Sequence, residues 1–258
     1  MNNLELKKLT EELIHTFLIA GKVSKDFSTK GLKITIKEDK SPVTDGDLEV
    51  DKILRDKILN LTPNIPIISE ETVDLKIENK NKIFWLIDPI DGTKQYIKNG
   101  DEYTLNAALI INLKPAIGLI YAPKKNRLFF SYGKNFAFET SNGNTKKLNC
   151  KKININEIIG LTNSDKMSET IMDIYKKNNS TRTVKMSSSL KFCILAAGEA
   201  DIYAAEARAF EWDIAAGHAI LSHAGGSLTD HNGEEILYGK KNYKNLSLIA
   251  KRSSNLKF

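Results

Sequence analysis

The sequence predicts a mixed architecture, an α+β first half packed on an α/β second half, and two observations carry the prediction. Residues 103–140 read as a meander of strands, YTLNAALII, AIGLIYA, RLFFSY and FAFET, parted by turn stretches such as NLKP and PKKN. Beyond residue 155, strand and helix patterns alternate, the order that builds layered α/β units. The polar stretch 140–155 is the natural boundary and divides the chain into halves 1–150 and 151–258.

Each element has its own signal. Residues 4–27 place Leu9, Leu13, Phe17 and Leu18 at helical spacing. In GLKITIKED, Leu32, Ile34 and Ile36 alternate, which predicts a half-exposed strand. The helical pattern returns over 44–61, where Thr44 with Asp47 three residues later resembles a capping box. IPIIS and KIFWLI are short apolar runs that end at acids and read as buried strands. In the second half, IIGLTN precedes a helix near 166–178, TRTVKM one through SLKFCILAAG, and DIYAA one through WDIAAGHAILSHAG; GSLTD and NLSLIA are the last strands.

Composition narrows the function. The 258 residues are 41% hydrophobic and 27% charged, which suits a globular chain with a full core. No apolar run approaches membrane-spanning length, and the amphipathic, acid-containing N-terminus reads neither as a signal peptide nor as a transit peptide. Two cysteines, Cys150 and Cys193, make no disulfide framework or metal cluster. The expected location is the cytoplasm, with peripheral membrane association left open. The net charge of +6 is carried by scattered lysines, a solvated surface rather than a nucleic-acid stripe. The same excess helps attract an anionic small molecule.

The chemistry gathers around WLIDPIDGTKQYI (85–97). Asp, Pro and Gly are turn residues, so an ordinary strand-to-helix loop is one reading. Yet four acidic sites each end an apolar segment: Asp47, Glu70–Glu71, Asp88–Asp91 and Asp213. If IPIIS and KIFWLI are neighbouring strands, Glu70, Asp88 and Asp91 meet at one sheet edge, which is unfavourable without cations. Carboxylates without His or Cys suit Mg²⁺ rather than zinc. Two such ions about 4 Å apart hold a phosphate and lower the pKa of an attacking water. The Ile90 carbonyl then serves as a further ligand while its side chain packs in the core. Gly92 allows close backbone approach, and a helix starting near Thr93 offers free N–H groups to phosphate. The Thr93 hydroxyl is placed to relay a proton to Asp47.

Other chemistries fit less well. There is no GxxxxGK[ST] loop, and Ser187–Ser188–Ser189 forms no G-x-S-x-G elbow. His218 reads as a local hydrogen-bonder and Cys193 as a core thiol.

WLIDPIDGT, Ser69–Glu70–Glu71, SPVTDGD (41–47) and WDIAAG (212–217) together resemble the Mg²⁺-dependent, lithium-sensitive phosphatases of the inositol monophosphatase superfamily. IISEE, DPIDGTKQYI, SSLKFC and EWDIAAGHAIL are similar to its 3′(2′),5′-bisphosphate nucleotidase branch of the CysQ type. The resemblance implies a layered αβαβα sandwich and release of the 3′-phosphate of adenosine 3′,5′-bisphosphate. It implies two or three Mg²⁺ ions, Mn²⁺ as a substitute and Li⁺ as an inhibitor. By resemblance Glu70, Asp88, Asp91 and Asp213 are metal carboxylates and Ile90 a carbonyl ligand. Asp47 and Thr93, with Glu70, act on the attacking water. Gly92, Thr93, Ser188, Ser189, Lys191 and Asp213 face the substrate, although the serines also read as a helix N-cap. Two departures bear on the substrate. Ser187 stands where a glycine is usual, and YAAEARAFEWD (203–213) lacks the usual Pro-Arg pair, so that Glu206 and Arg208 shape the pocket. The alternatives are an inositol- or sugar-phosphate phosphatase on the same scaffold and a non-catalytic nucleotide-binding protein. The expected partner is a small phosphoester, and the expected assembly a monomer or homodimer.

Overall fold

The computed structural model describes residues 1–38, 40–77, 79–150, 156–253 and 256. Helices α1 (Asn3–Lys30) and α2 (Asp45–Leu61) flank the short strands β1 (Ile34–Ile36) and β2 (Pro42–Thr44). Next come β3 (Ile67–Ser69), β4 (Ile83–Asp91), the one-turn α3 (Thr93–Ile97), and the meander β5 (Thr104–Ile111), β6 (Lys114–Ala122), β7 (Arg127–Ser131), β8 (Ala137–Ser141) and β9 (Asn144–Lys147). The second half runs β10 (Ile158–Thr162), α4 (Glu169–Lys177), β11 (Ser180–Lys185), α5 (Leu190–Ala196), β12 (Ile202–Ala205), α6 (Glu211–Ala224), β13 (Ser227–Thr229) and β14 (Leu248–Lys251).

Two sheets form the layers. One has the strand order β3-β4-β5-β6-β7-β8-β9, the other β11-β10-β12-β14-β13. Helices α1 and α2 cover one face of the seven-stranded sheet; α5 and α6 lie between the sheets, and α4 packs outside the second. The order is therefore αβαβα, as the resemblance implies. Strand β4 shows why a buried strand reads as an unbroken apolar run. Trp85 and Ile87 pack toward α1 and α2, whereas Phe84 and Leu86 pack toward α5 and α6.

Close approach of α6 to the sheet needs a glycine. A Cβ on Gly118 of β6 would lie 2.4 Å from the Ala216 carbonyl oxygen and 2.8 Å from the Ala219 methyl. This packing lowers the first turn of α6 onto the sheet end that carries the acids.

The structure differs from the sequence pattern in three places. Leu18 is 41% exposed, so the apolar stripe of α1 is narrower than its spacing suggests. Ile34 and Ile36 are exposed, because β1 pairs only with β2, in a two-stranded ribbon that joins neither of the larger sheets. Part of the 140–155 boundary belongs to the β8–β9 hairpin, turned by Asn142 and Gly143, both at positive φ. Residues 151–155 lie outside the described residues. Among the described residues no helix is long and apolar enough to cross a membrane.

Candidate metal-dependent active site

Strands β3 and β4 are parallel, with Ser69 beside Ile87 and the Glu70 N–H donating to the Ile87 carbonyl at 3.1 Å. Their C-terminal ends therefore share one edge. In a regular strand Asp88 and Asp91 would point to opposite faces. A bulge prevents this: Asp88 pairs with Asn106 and Asp91 with Thr104, so that two residues of β4, Pro89 and Ile90, stand against one of β5, Leu105. Pro89, which cannot donate to the ladder, sits within the bulge. Asp88 and Asp91 thus face α5 and α6, while the Ile90 side chain is buried toward α1 and α2.

Asp213 reaches the same edge from α6. It is the third residue of the helix, and its Oδ2 accepts the Phe210 N–H at 2.8 Å. Carboxylate oxygens of Glu70, Asp88 and Asp213 lie within 4.8 Å of one another. Asp91 adjoins this trio, and its Oδ2 accepts the Ser189 N–H. Asp88 is 1% exposed, and its Oδ1 has no hydrogen-bond partner.

This arrangement is electrostatically incomplete. Burial, reinforced by the neighbouring acids, pushes the Asp88 and Asp213 carboxyls well above the usual range. Desolvation raises Glu70 to about 7, against the pull of Lys37. Asp91 is also raised, burial outweighing Lys191 and the Ser189 hydrogen bonds. An oxygen-only donor set with an orphaned buried carboxylate oxygen fits a hard divalent cation.

Asp47 is buried at the start of α2. The expected capping box forms, with Asp47 Oδ2 accepting the Thr44 N–H at 2.9 Å and also the Thr44 hydroxyl. Burial outweighs these bonds and moves its pKa from 3.8 up to about 6. The Thr93 hydroxyl lies 3.4 Å from Asp47 Oδ1 and 3.2 Å from the Ile90 carbonyl. Gly92 caps α3 at φ 91°, and a Cβ there would meet the Glu102 carbonyl at 3.2 Å.

The serine segment closes the other side. Ser188 is left-handed, φ 56°. The Ser189 hydroxyl turns inward to Asn106 Oδ1 (2.7 Å) and Thr104 Oγ1 (2.8 Å); it stands at the N-cap position of α5 without capping it. Lys191 is buried, its ammonium donating to the Ser188 carbonyl, and burial lowers its pKa to about 8. A cavity of about 340 Å³ opens here, lined by Asp91, Asp213, Ser188, Lys191 and Arg208 among others. His218 bonds Tyr238 through Nδ1 at 2.9 Å, and Cys193 is fully buried.

Two sets of contacts had no sequence signal. Lys37, from the β1–β2 ribbon, pairs with Glu71 at 2.7 Å and lies 3.6 Å from Glu70. Glu102 Oε2 accepts the Ser187 N–H at 2.8 Å, and Gln95 donates to the Ser187 hydroxyl at 3.1 Å. Both depend on segments remote in sequence.

Known proteins share this arrangement of layers. A 3′(2′),5′-bisphosphate nucleotidase CysQ of Buchnera aphidicola is 35% identical over 212 residues, 82% of this chain and 79% of that protein. The crystal structure of CysQ from Bacteroides thetaiotaomicron superposes with a TM-score of 0.77 at 28% identity, covering 94% of this chain and 96% of that one. An IMPase/NADP phosphatase, solved with Mg²⁺ and phosphate, has the same fold at 20% identity (TM-score 0.78, covering 96% and 91% of the two chains). The model of the inositol monophosphatase family matches residues 5–257, which take in every strand of both sheets and all the clustered acids, so the chain belongs to that family.

Proposed function

We propose that this chain is a Mg²⁺-dependent phosphatase that removes the 3′-phosphate of adenosine 3′,5′-bisphosphate, leaving AMP and inorganic phosphate. The name of the Buchnera relative, a 3′(2′),5′-bisphosphate nucleotidase, supports a bisphosphorylated nucleotide as the substrate class. The observation that carries the chemistry is the buried, unpartnered Asp88 oxygen amid Glu70 and Asp213. Glu70, Asp88, Asp91, Asp213 and the Ile90 carbonyl would hold two or three cations. Bound there, the ions supply charge neutralisation and Lewis acidity toward the phosphoester.

The chain's own residues do the rest. Asp47, ionised at neutral pH, accepts a proton from the Thr93 hydroxyl, which takes one from the attacking water. The water oxygen bonds to phosphorus, the bond from phosphorus to the ribose 3′-oxygen breaks, and that oxygen leaves with a proton from solvent. The N–H groups of Gly92 and Thr93 orient a phosphate oxygen. Lys191 and Ser188 hold the nucleotide, with Asp213 beside it; the Ser189 hydroxyl is committed to Asn106 and Thr104 and contributes by fixing the segment. The halves 1–150 and 151–258 act as one unit, the first giving most metal ligands and the second Asp213 and the pocket wall.

The test is phosphate release from adenosine 3′,5′-bisphosphate and from inositol 1-phosphate, with Mg²⁺ present and then omitted. Mg²⁺-dependent preference for the nucleotide is expected. Preference for the inositol ester rejects the substrate assignment, and turnover without divalent ions rejects the metal chemistry.

A further inference from the structure

Lys191 and Arg208 are the two cationic residues lining the cavity. They are held differently. The Lys191 ammonium is tied to the Ser188 carbonyl and lies 5.1 Å from the centre of the Tyr203 ring. Arg208 stands exposed at the mouth, between β12 and α6. Both acids flanking it are committed elsewhere. Glu206 accepts the Ser168 hydroxyl at 2.6 Å, and Glu211 accepts the Gly239 and Lys240 N–H groups at 2.8 and 2.9 Å. No described residue forms an ion pair with Arg208.

An unpaired guanidinium at the rim of a substrate-sized cavity offers a planar fork to a phosphate. Asp91 and Asp213 line the same cavity, so an anion on Arg208 and a phosphoester at the carboxylates are within reach of one small molecule. We infer that Arg208 is a specificity-determining residue that binds the phosphate left uncleaved. The assignment rests on the phosphatase function proposed for the same site.

Steady-state kinetics with Mg²⁺ test it on the wild type, Arg208→Gln and Arg208→Lys. The substrates are adenosine 3′,5′-bisphosphate and adenosine 3′-monophosphate, which differ only in the second phosphate. For Arg208→Gln, kcat/KM on the bisphosphate is expected to fall roughly tenfold to a hundredfold, chiefly through KM. The loss on the monophosphate should be at least tenfold smaller, and Arg208→Lys should restore part of the bisphosphate activity. Equal losses on both substrates, or no loss on either, overturn the role of Arg208 while leaving the phosphatase function standing. A wild type that does not hydrolyse the bisphosphate overturns both.

Discussion

Replacing Asp47 by asparagine is expected to make the metal-free protein more stable and the enzyme nearly inactive. Asp47 is 1% exposed, and burial raises its carboxyl from 3.8 to about 6. A carboxyl with a folded pKa above its unfolded value binds its proton more tightly in the folded state. Its contribution is therefore fully present below the unfolded value and is lost as pH rises through about 6. The displacement is worth about 3 kcal/mol at pH 8, of which about half has gone by pH 5. Asparagine keeps an oxygen for the Thr44 N–H and hydroxyl, so the cap of α2 survives. With about 2–4 °C per kcal/mol for a chain of this size, Asp47→Asn should melt roughly 6–12 °C above the wild type at pH 8 in chelator. The assay is thermal and urea denaturation of both proteins at pH 5 and pH 8. The difference between them cancels other titrations, such as those of His218 and His223, whose pKa values burial lowers. Turnover should fall by roughly 10²–10⁴. A stability gap that does not widen from pH 5 to pH 8, or a variant that keeps full turnover, refutes the reasoning.

Three further outcomes are expected. Asp91→Asn keeps an acceptor for the Ser189 N–H, so the fold should survive while kcat drops at least about a hundredfold; substantial residual turnover with a normal melting curve would remove Asp91 from the metal set. Mg²⁺ must displace protons from Glu70, which sits at about 7 in the metal-free protein, so its apparent affinity should weaken as pH falls from 8 to 6. Calorimetry in buffers of different ionisation enthalpy reads the protons released, and a buffer-independent heat argues against the linkage. Gly118→Ala forces its methyl group against the Ala216 carbonyl, at a cost of about 1–3 kcal/mol, lowering Tm by roughly 2–12 °C and disturbing Asp213; an unchanged melting temperature would show that α6 can shift freely.

Much of the architecture is legible locally because strand and helix periods are set by which faces are buried. KIFWLI, the meander and the alternation after residue 155 all appear where their patterns place them. The capping box at Thr44 and Asp47 is equally local. The polar boundary stretch also carries a local hairpin signal: Asn142–Gly143 is a turn dipeptide, and it turns β8 into β9. The exposed β1 shows the opposite limit, since alternation gives the shape of a strand without saying whether anything covers it.

The sequence alone determined that acids end the apolar runs and that DPIDGT couples a strand to a helix. Only tertiary structure decided that these acids share one place. The bulge in β4 brings Asp88 and Asp91 to a common face, the parallel pairing of β3 sets Glu70 beside them, and Gly118 lets α6 deliver Asp213 from the other half of the chain. Tertiary structure also brought in Lys37 and drew the Ser189 hydroxyl into the fold. The reason is physical. Propensity and periodicity act over neighbouring residues, whereas the desolvation and mutual repulsion that make a carboxylate cluster demand a cation arise only when distant segments pack together.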